Sequence, residues 1–311
     1  MDAVIEARGL TKRYGRITAV DAIDLDIRRG EVYGLLGPNG SGKTTTILML
    51  LGLTEVTAGR VRVLGLDPAR EPLAVKRRVG YMPDTVGFYD HMSARANLRY
   101  IGRLAGIDPA RLEARIDEVL AQVGLTEAAD RRTSGFSSGM RRRLGLAEVL
   151  LKQPDVAILD EPTNELDPSA TREFLELILE LKRRGITVLL SSHLLERVQA
   201  VCDRVALFHR GRIVLEGTVG ALAQQVLGKG YRIELEATGV ELRPVLERIP
   251  GVIAVAAPAP GRYTVEASAD VRPQVAAAAV GAGAAVASLA LHEPSLADVY
   301  AGYFDRLNHA A

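Results

Sequence analysis

Gly37-Pro38-Asn39-Gly40-Ser41-Gly42-Lys43-Thr44 lies between an apolar run, Glu31-Val32-Tyr33-Gly34-Leu35-Leu36, and a helical run, Thr45-Thr46-Ile47-Leu48-Met49-Leu50-Leu51. It matches G-x-x-x-x-G-K-[ST] in the strand–loop–helix setting that this pattern needs. Glycines let successive backbone N–H groups curl around a phosphate chain, and the N-terminus of the following helix adds partial positive charge. A plain Gly-rich turn would account for the glycines but not for the flanking strand and helix. The pattern assigns Gly37, Asn39, Gly40, Ser41, Gly42, Lys43, Thr44 and Thr45 to a nucleoside triphosphate. Lys43 is expected on the β- and γ-phosphates, with the Thr44 hydroxyl on Mg²⁺.

Downstream, Val156-Ala157-Ile158-Leu159-Asp160-Glu161 is an apolar strand ending in two carboxylates. Asp160 is the expected Mg²⁺ partner, because a hard cation takes carboxylate oxygen, and Glu161 is placed to polarise an attacking water. Thr187-Val188-Leu189-Leu190 is a third short apolar strand, and helical patterns alternate with all three, which predicts a mostly parallel α/β sheet. The helix over 168–184 has Pro168 at its start, Phe174, Leu175, Ile178 and Leu181 on one face, and Gly185 past its end. Between residues 83 and 151 the strand signal disappears. Asp108-Pro109 opens a helix carrying Leu112, Ile116, Val119, Leu120 and Val123, which predicts a helical insertion. Residues 204–217 read as a hairpin turning at Arg210-Gly211.

After about residue 220 the composition becomes Ala-rich, and Gly228-Lys229-Gly230 reads as a joint. Tyr231, Ile233 and Leu235 alternate with Arg232, Glu234 and Glu236, as in a half-buried strand. A helix through Val245, Leu246 and Ile249, strands at 251–257 and 262–267, a helix near 273–282 and a strand near 285–291 would complete a βαββαβ unit. Ser295-Leu296-Ala297-Asp298 is a capping-box pattern before Val299, Tyr300, Tyr303, Phe304 and Leu307, a stripe that favours core packing over a partner-binding helix.

The 311 residues suggest about two domains, and 48% hydrophobic with 25% charged residues is ordinary globular composition. A formal net charge of +1 supplies no basic footprint for nucleic acid or anionic lipid. One cysteine, Cys202, excludes an intramolecular disulfide framework and a Cys-rich metal site. Met1-Asp2-Ala3-Val4-Ile5-Glu6 lacks an apolar signal core, so a cytoplasmic location is expected. The uncharged stretch 275–291 approaches the length of a membrane span, but it is mostly Ala with Gly281 and Gly283 inside it, which disfavours spanning.

Over residues 4–220 the chain resembles the ATP-binding cassette (ABC) ATPases. The deciding addition to the phosphate loop is Phe136-Ser137-Ser138-Gly139-Met140, sited as that family's signature is, before a helix and upstream of Asp160-Glu161. The resemblance implies a P-loop NTPase fold with a mostly parallel core sheet, an antiparallel β subdomain and a helical subdomain at about 85–150. It implies an ATPase domain over 1–220; the joint and the strand–helix pattern beyond it predict a linker at 221–230 and a small α+β, ferredoxin-like domain over 231–311. It places Tyr14 on adenine, His193 at the γ-phosphate as a switch histidine, Ser137, Ser138 and Gly139 on ATP held by another subunit, and Asp167 across a dimer. ATP and Mg²⁺ are the implied cofactors. Glu161, His193 and Lys43 carry the implied catalysis. The implied partners are a second ATPase subunit, with a homodimer expected, and a separate integral membrane permease of the ABC-2 type. The protein would then lie on the inner face of the membrane, with no nucleic acid bound and no direct lipid insertion.

Three features depart from the family pattern. The usual Leu-Ser-Gly-Gly-Gln is Phe-Ser-Ser-Gly-Met, Asp84 stands where glutamine is usual and remains a candidate Mg²⁺ ligand, and Glu165 stands where Gly is common. The tail Glu293-Pro294-Ser295-Leu296 is similar to those of exporter ATPases, and residues 82–90 resemble ATPases of copper or nitrous-oxide-reductase maturation systems. The competing function, a soluble ABC ATPase acting on DNA or ribosomes, is disfavoured by the lack of sustained heptads between Lys43 and Ser137, a single cassette and no basic stripe.

Overall fold

The structure, a computed structural model, describes the backbone of residues 3–227, 231–292 and 295–309, and the side chains of these except 227, 292 and 304–309. The joint expected at 228–230 and the side chains of Phe304 and Leu307 lie outside the described residues. The chain divides into two compact units, Met1–Glu216 and Gly217–Ala311.

In the first unit, β1 (Ala3–Tyr14), β2 (Ile17–Arg28) and β4 (Ala58–Val63) form an antiparallel sheet in the order β2-β1-β4. A second, six-stranded sheet takes in β3 (Val32–Leu36), β5 (Val79–Met82), β6 (Val156–Leu159), β7 (Thr187–Ser192), β8 (Arg204–His209) and β9 (Arg212–Gly217) in the order β5-β6-β7-β3-β8-β9. The first five strands of that order run parallel, and β9 follows β8 after the turn at Arg210-Gly211. Strands β3 and β6 are buried at every position, which is why they read as unbroken apolar runs. Ile5, Leu25 and Val63 of the antiparallel sheet join Tyr33, Leu35 and Ile47 in one apolar core.

Helix α1 (Lys43–Leu50) follows β3, and α2 (Pro72–Arg78) leads into β5. The insertion holds α3 (Ala94–Leu104), α4 (Pro109–Gln122) and α5 (Ser138–Leu151), packed on one another, with α5 also against β5. Leu112, Ile116, Val119 and Leu120 are the buried face of α4, and Asp108 caps it at the Ala110 amide, as the spacing predicted. Helix α6 (Pro168–Arg183) packs against β7, and α7 (Leu195–Val198) is a single turn.

In register, Met82 sits opposite Leu159, Leu159 opposite Leu190, and Leu36 opposite Ser192. The carboxyl ends of β5 and β6 are therefore level with Leu190, and those of β7 and β3 lie two residues further on, at Ser192 and Leu36. Asp84, Asp160-Glu161, His193 and the glycine-rich loop all leave the sheet along one edge, the usual ligand edge of an open parallel sheet.

The second unit contains α8 (Val219–Leu227), β10 (Tyr231–Thr238), α9 (Arg243–Leu246), β11 (Val252–Ala259), β12 (Arg262–Ala267), α10 (Arg272–Gly281), β13 (Ala285–His292) and α11 (Leu296–His309). Its four strands form an antiparallel sheet in the order β11-β12-β10-β13. Two expectations are corrected. The segment at 221–230 is helical up to residue 227, with Leu222, Ala223 and Val226 buried. The helix through Ile249 ends at Leu246, short of Pro250-Gly251, where the chain turns into β11. The stretch 275–291 is a helix, a turn and a strand, and no helix among the described residues is long and apolar enough to cross a membrane. Ser295 and Asp298 cap α11 reciprocally, Asp298 N donating to Ser295 Oγ at 3.1 Å and Ser295 N to Asp298 Oδ2 at 3.0 Å.

Candidate active site

The glycine-rich loop is shaped by contacts that exclude side chains. Gly42, which starts α1, has φ 112°, and a Cβ there would lie 2.7 Å from the Ala19 carbonyl oxygen. At Gly37 a Cβ would meet the Phe208 carbonyl oxygen at 2.4 Å. The β8–β9 turn supports the loop directly: Gly211 N donates to Ser41 O at 2.8 Å, and Asp21 N donates to Gly211 O at 2.8 Å. The Ser41 side chain, 3% exposed, has a hydroxyl with no hydrogen-bond partner among the described residues. Lys43 Nζ donates to the carbonyl oxygens of Gly37 at 2.7 Å and Pro38 at 3.2 Å, and lies 3.3 Å from Glu161 Oε1.

The carboxylates at the end of β6 have different surroundings. Asp160, 2% exposed, accepts hydrogen bonds through Oδ1 from the Ser191 hydroxyl and, at 3.3 Å, from the Thr44 hydroxyl. Burial raises its pKa above the ordinary carboxylate range; the two hydroxyls oppose that shift, while the negative charges of Glu161 and Asp84 add to it. Glu161 occupies the left-handed region at φ 46°, a strained backbone state for a non-glycine residue. Its amide donates to Ser191 Oγ at 2.9 Å, and its Oε2 meets His193 Nδ1 at 2.8 Å and the His193 amide at 3.2 Å. One carboxylate is thus held between a lysine and a histidine.

A cleft of about 320 Å³ is lined by Asn39, Gly40, Gly42, Lys43, Thr44, Thr45, Asp84, Glu161 and His193, with Ala19 and Asn164. Most of the predicted phosphate-site residues are brought together there. Ser137, Ser138, Gly139 and Asp167 are not in its lining. Ser137 caps α5, accepting from Met140 N at 3.3 Å, and both it and Ser138 are exposed. Asp167 caps α6, accepting from Ser169 N at 2.8 Å and Ala170 N at 2.9 Å. Tyr14 is exposed at the end of β1, with the Lys12 ammonium 4.8 Å from its ring centre. Asp84 Oδ1 accepts from Arg142 Nη2 at 3.3 Å and from Asn164 Nδ2 at 3.2 Å.

Sequence reasoning missed Ser191, Arg142 and Asn164. Ser191-Ser192 directly before His193 was the available signal for the first. Arg142 lies in the run Arg141-Arg142-Arg143, where a solvated helix face is the ordinary expectation for consecutive charges, yet its side chain is buried.

A glycine loop around a buried lysine, at the carboxyl edge of a parallel sheet and facing a strand-end carboxylate pair, defines a P-loop nucleoside triphosphatase. The sequence pattern described as ABC transporter matches residues 20–164. The chain is 41% identical over 207 residues to the ABC transporter ATP-binding protein NatA of Bacillus subtilis (strain 168), covering 66% of this chain and 84% of that protein. It is 38% identical over 251 residues to the Nod factor export ATP-binding protein I of Paraburkholderia xenovorans (strain LB400), covering 79% of this chain and 83% of that protein. A solved ATP-binding subunit of an ABC transporter superposes with a TM-score of 0.65 at 30% identity, covering 71% of this chain and 92% of that one. The chain belongs to the ABC transporter family. It is an ATP-binding, ATP-hydrolysing subunit that powers a membrane permease.

Proposed function

We propose that the subunit drives an ABC-2-type exporter by pairing head to tail with a second copy of itself. Each ATP would lie between one copy's phosphate loop and the other's Ser137, Ser138 and Gly139. The observation that carries this reading is the separation within one chain: the signature serines are exposed at the start of α5 and outside the lining of the phosphate cleft. A helix N-terminus with two exposed serines suits a γ-phosphate that a second chain presents. Export is supported by the likeness to a Nod factor export protein.

Within the cleft, Lys43 binds the β- and γ-phosphates and Glu161 takes the proton of the attacking water. His193, hydrogen-bonded to Glu161, holds that carboxylate and meets the γ-phosphate. Tyr14 stacks on adenine with Lys12 beside it, and Asp167 reports across the dimer. The donors fit Mg²⁺: the Thr44 hydroxyl and Asp160 carboxylate are hard oxygens 3.3 Å apart. When bound, the ion neutralises phosphate charge. The orphaned Ser41 hydroxyl fits a phosphate oxygen as its missing partner.

The helical subdomain at about 85–150 grips the permease, supported by exposed Tyr89, Tyr100 and Leu104 on it. That contact keeps the protein on the cytoplasmic face of the membrane. The βαββαβ order of the second unit supports a ferredoxin-like accessory domain.

Mixing Lys43→Ala chains with Ser137→Arg chains tests the pairing. Each variant alone should be inactive, and the mixture should regain ATPase activity, because one of the two composite sites is intact in a mixed dimer. No recovery at any mixing ratio overturns head-to-tail pairing.

A further inference from the structure

Three carboxylates stand at the phosphate end of the cleft, and each has a different means of compensation. Glu161 has Lys43, Asp160 has the hydroxyls of Ser191 and Thr44, and Asp84 has Arg142. Asp84 is about half exposed and lines the cleft, so its charge faces any polyanion that enters. Its field reaches the neighbouring groups: burial raises the pKa of Asp160, and that of Tyr81 to about 12, and the charge of Asp84 adds a smaller push to both.

The Arg142 side chain is 7% exposed, and its guanidinium spans Asp84 Oδ1 at 3.3 Å and the Pro83 carbonyl oxygen at 3.4 Å. Its neighbours on α5 bind the same segment. Arg141 Nη1 reaches Asp90 Oδ1 at 2.8 Å, and α5 approaches so closely at Gly145 that a Cβ there would lie 3.0 Å from Val86 Cγ1. The helix that begins at the signature thus clamps residues 83–90 at both ends and in the middle.

We propose that Arg142 is a positioning residue for nucleotide binding: it neutralises Asp84 and holds it against Asn164, so that the cleft admits a triphosphate. This rests on the ATP reading of the cleft. Without Arg142, Asp84 becomes an uncompensated anion beside the phosphates. With both groups removed, the repulsion disappears.

The test is the affinity for a fluorescent ATP analogue in EDTA, where no metal contributes, measured on intact chains with unfolding midpoints as the folding control. Arg142→Met and Arg142→Gln should each bind about fivefold to tenfold more weakly than wild type, on the scale of a partly exposed charge interaction. Arg142→Lys, which keeps the charge, should bind within about twofold of wild type on the same scale. Adding Asp84→Asn to Arg142→Met or to Arg142→Gln should restore binding. Wild-type affinity in both neutral variants, or equally weak binding in both double variants, overturns the proposal. Failure of wild-type protein to bind the analogue counts instead against the ATP reading.

Discussion

Lys43 and Glu161 neutralise one another: Nζ and Oε1 are 3.3 Å apart, and the two side chains are 5% and 11% exposed. The group proposed to grip phosphate and the group proposed to activate water are thus paired with one another in the cleft. A triphosphate must therefore win the lysine from the carboxylate, and Glu161 is then left with His193.

Replacing Glu161 with Gln removes the competing anion and the base together. Nucleotide affinity should hold or improve while turnover falls by about 10²- to 10⁴-fold. Equilibrium binding and steady-state ATPase assays separate the two effects. Wild-type turnover in this variant would remove Glu161 from the role of base.

Lys43→Ala should lose phosphate stabilisation and leave Glu161 buried without its cation. The expected fall in the ATPase rate is about 10²-fold or more, on the scale of losing one preorganised donor. An unchanged rate would refute the assignment of the phosphate loop.

Glu165 adopts φ 62° and is exposed, so it accepts a left-handed backbone that only glycine takes without a steric cost. The backbone angle accounts for the glycine usual at that position, and nothing in the structure explains the glutamate that replaces it. Glu165→Gly should raise stability by up to about 1 kcal/mol, the relief of strain being partly offset by glycine's greater chain entropy. Denaturant unfolding measures it, and a loss of stability would mean that the Glu165 side chain makes a compensating contact.

Asp160 carries a cost that depends on pH. Burial raises its folded pKa above the ordinary 3.8, so the folded chain holds this proton more tightly than the unfolded chain does. The resulting destabilisation is absent below 3.8, grows as pH rises through the folded pKa, and is complete above it. Asp160→Asn should therefore raise the unfolding midpoint at neutral pH, give no such gain below pH 3.8, and abolish ATPase activity. An equal gain at both pH values would assign the stabilisation to packing.

The phosphate loop, both carboxylates and the parallel strands were legible because each depends on local features: glycines at fixed spacing, or an apolar run that ends in acids. The insertion was legible from the spacing along α4. Contacts between distant segments were not. Arg142 is one of three consecutive arginines, and nothing local shows that it turns inward to Asp84, 58 residues away. The helix at Val219–Leu227 was missed because its Ala- and Gln-rich sequence, set next to a glycine pair, resembled a spacer, although the burial of Leu222, Ala223 and Val226 decides the matter. Glu165 could be noted as unusual from its neighbours, but only the backbone angle gave it an energetic meaning.

The turn at Arg210-Gly211 ties the phosphate loop to the far end of its own unit. Ser41 hangs from the Gly211 amide, and Asp21 is tied to the Gly211 carbonyl. The motif near the start of the chain thus has its floor supplied by almost the last residues of its own unit. As a nascent chain emerges N-terminus first, the phosphate loop has no platform until residue 211 is available to fold against it. A chain halted at residue 200 would carry every phosphate-loop residue without the Gly211 hydrogen bond that supports Ser41.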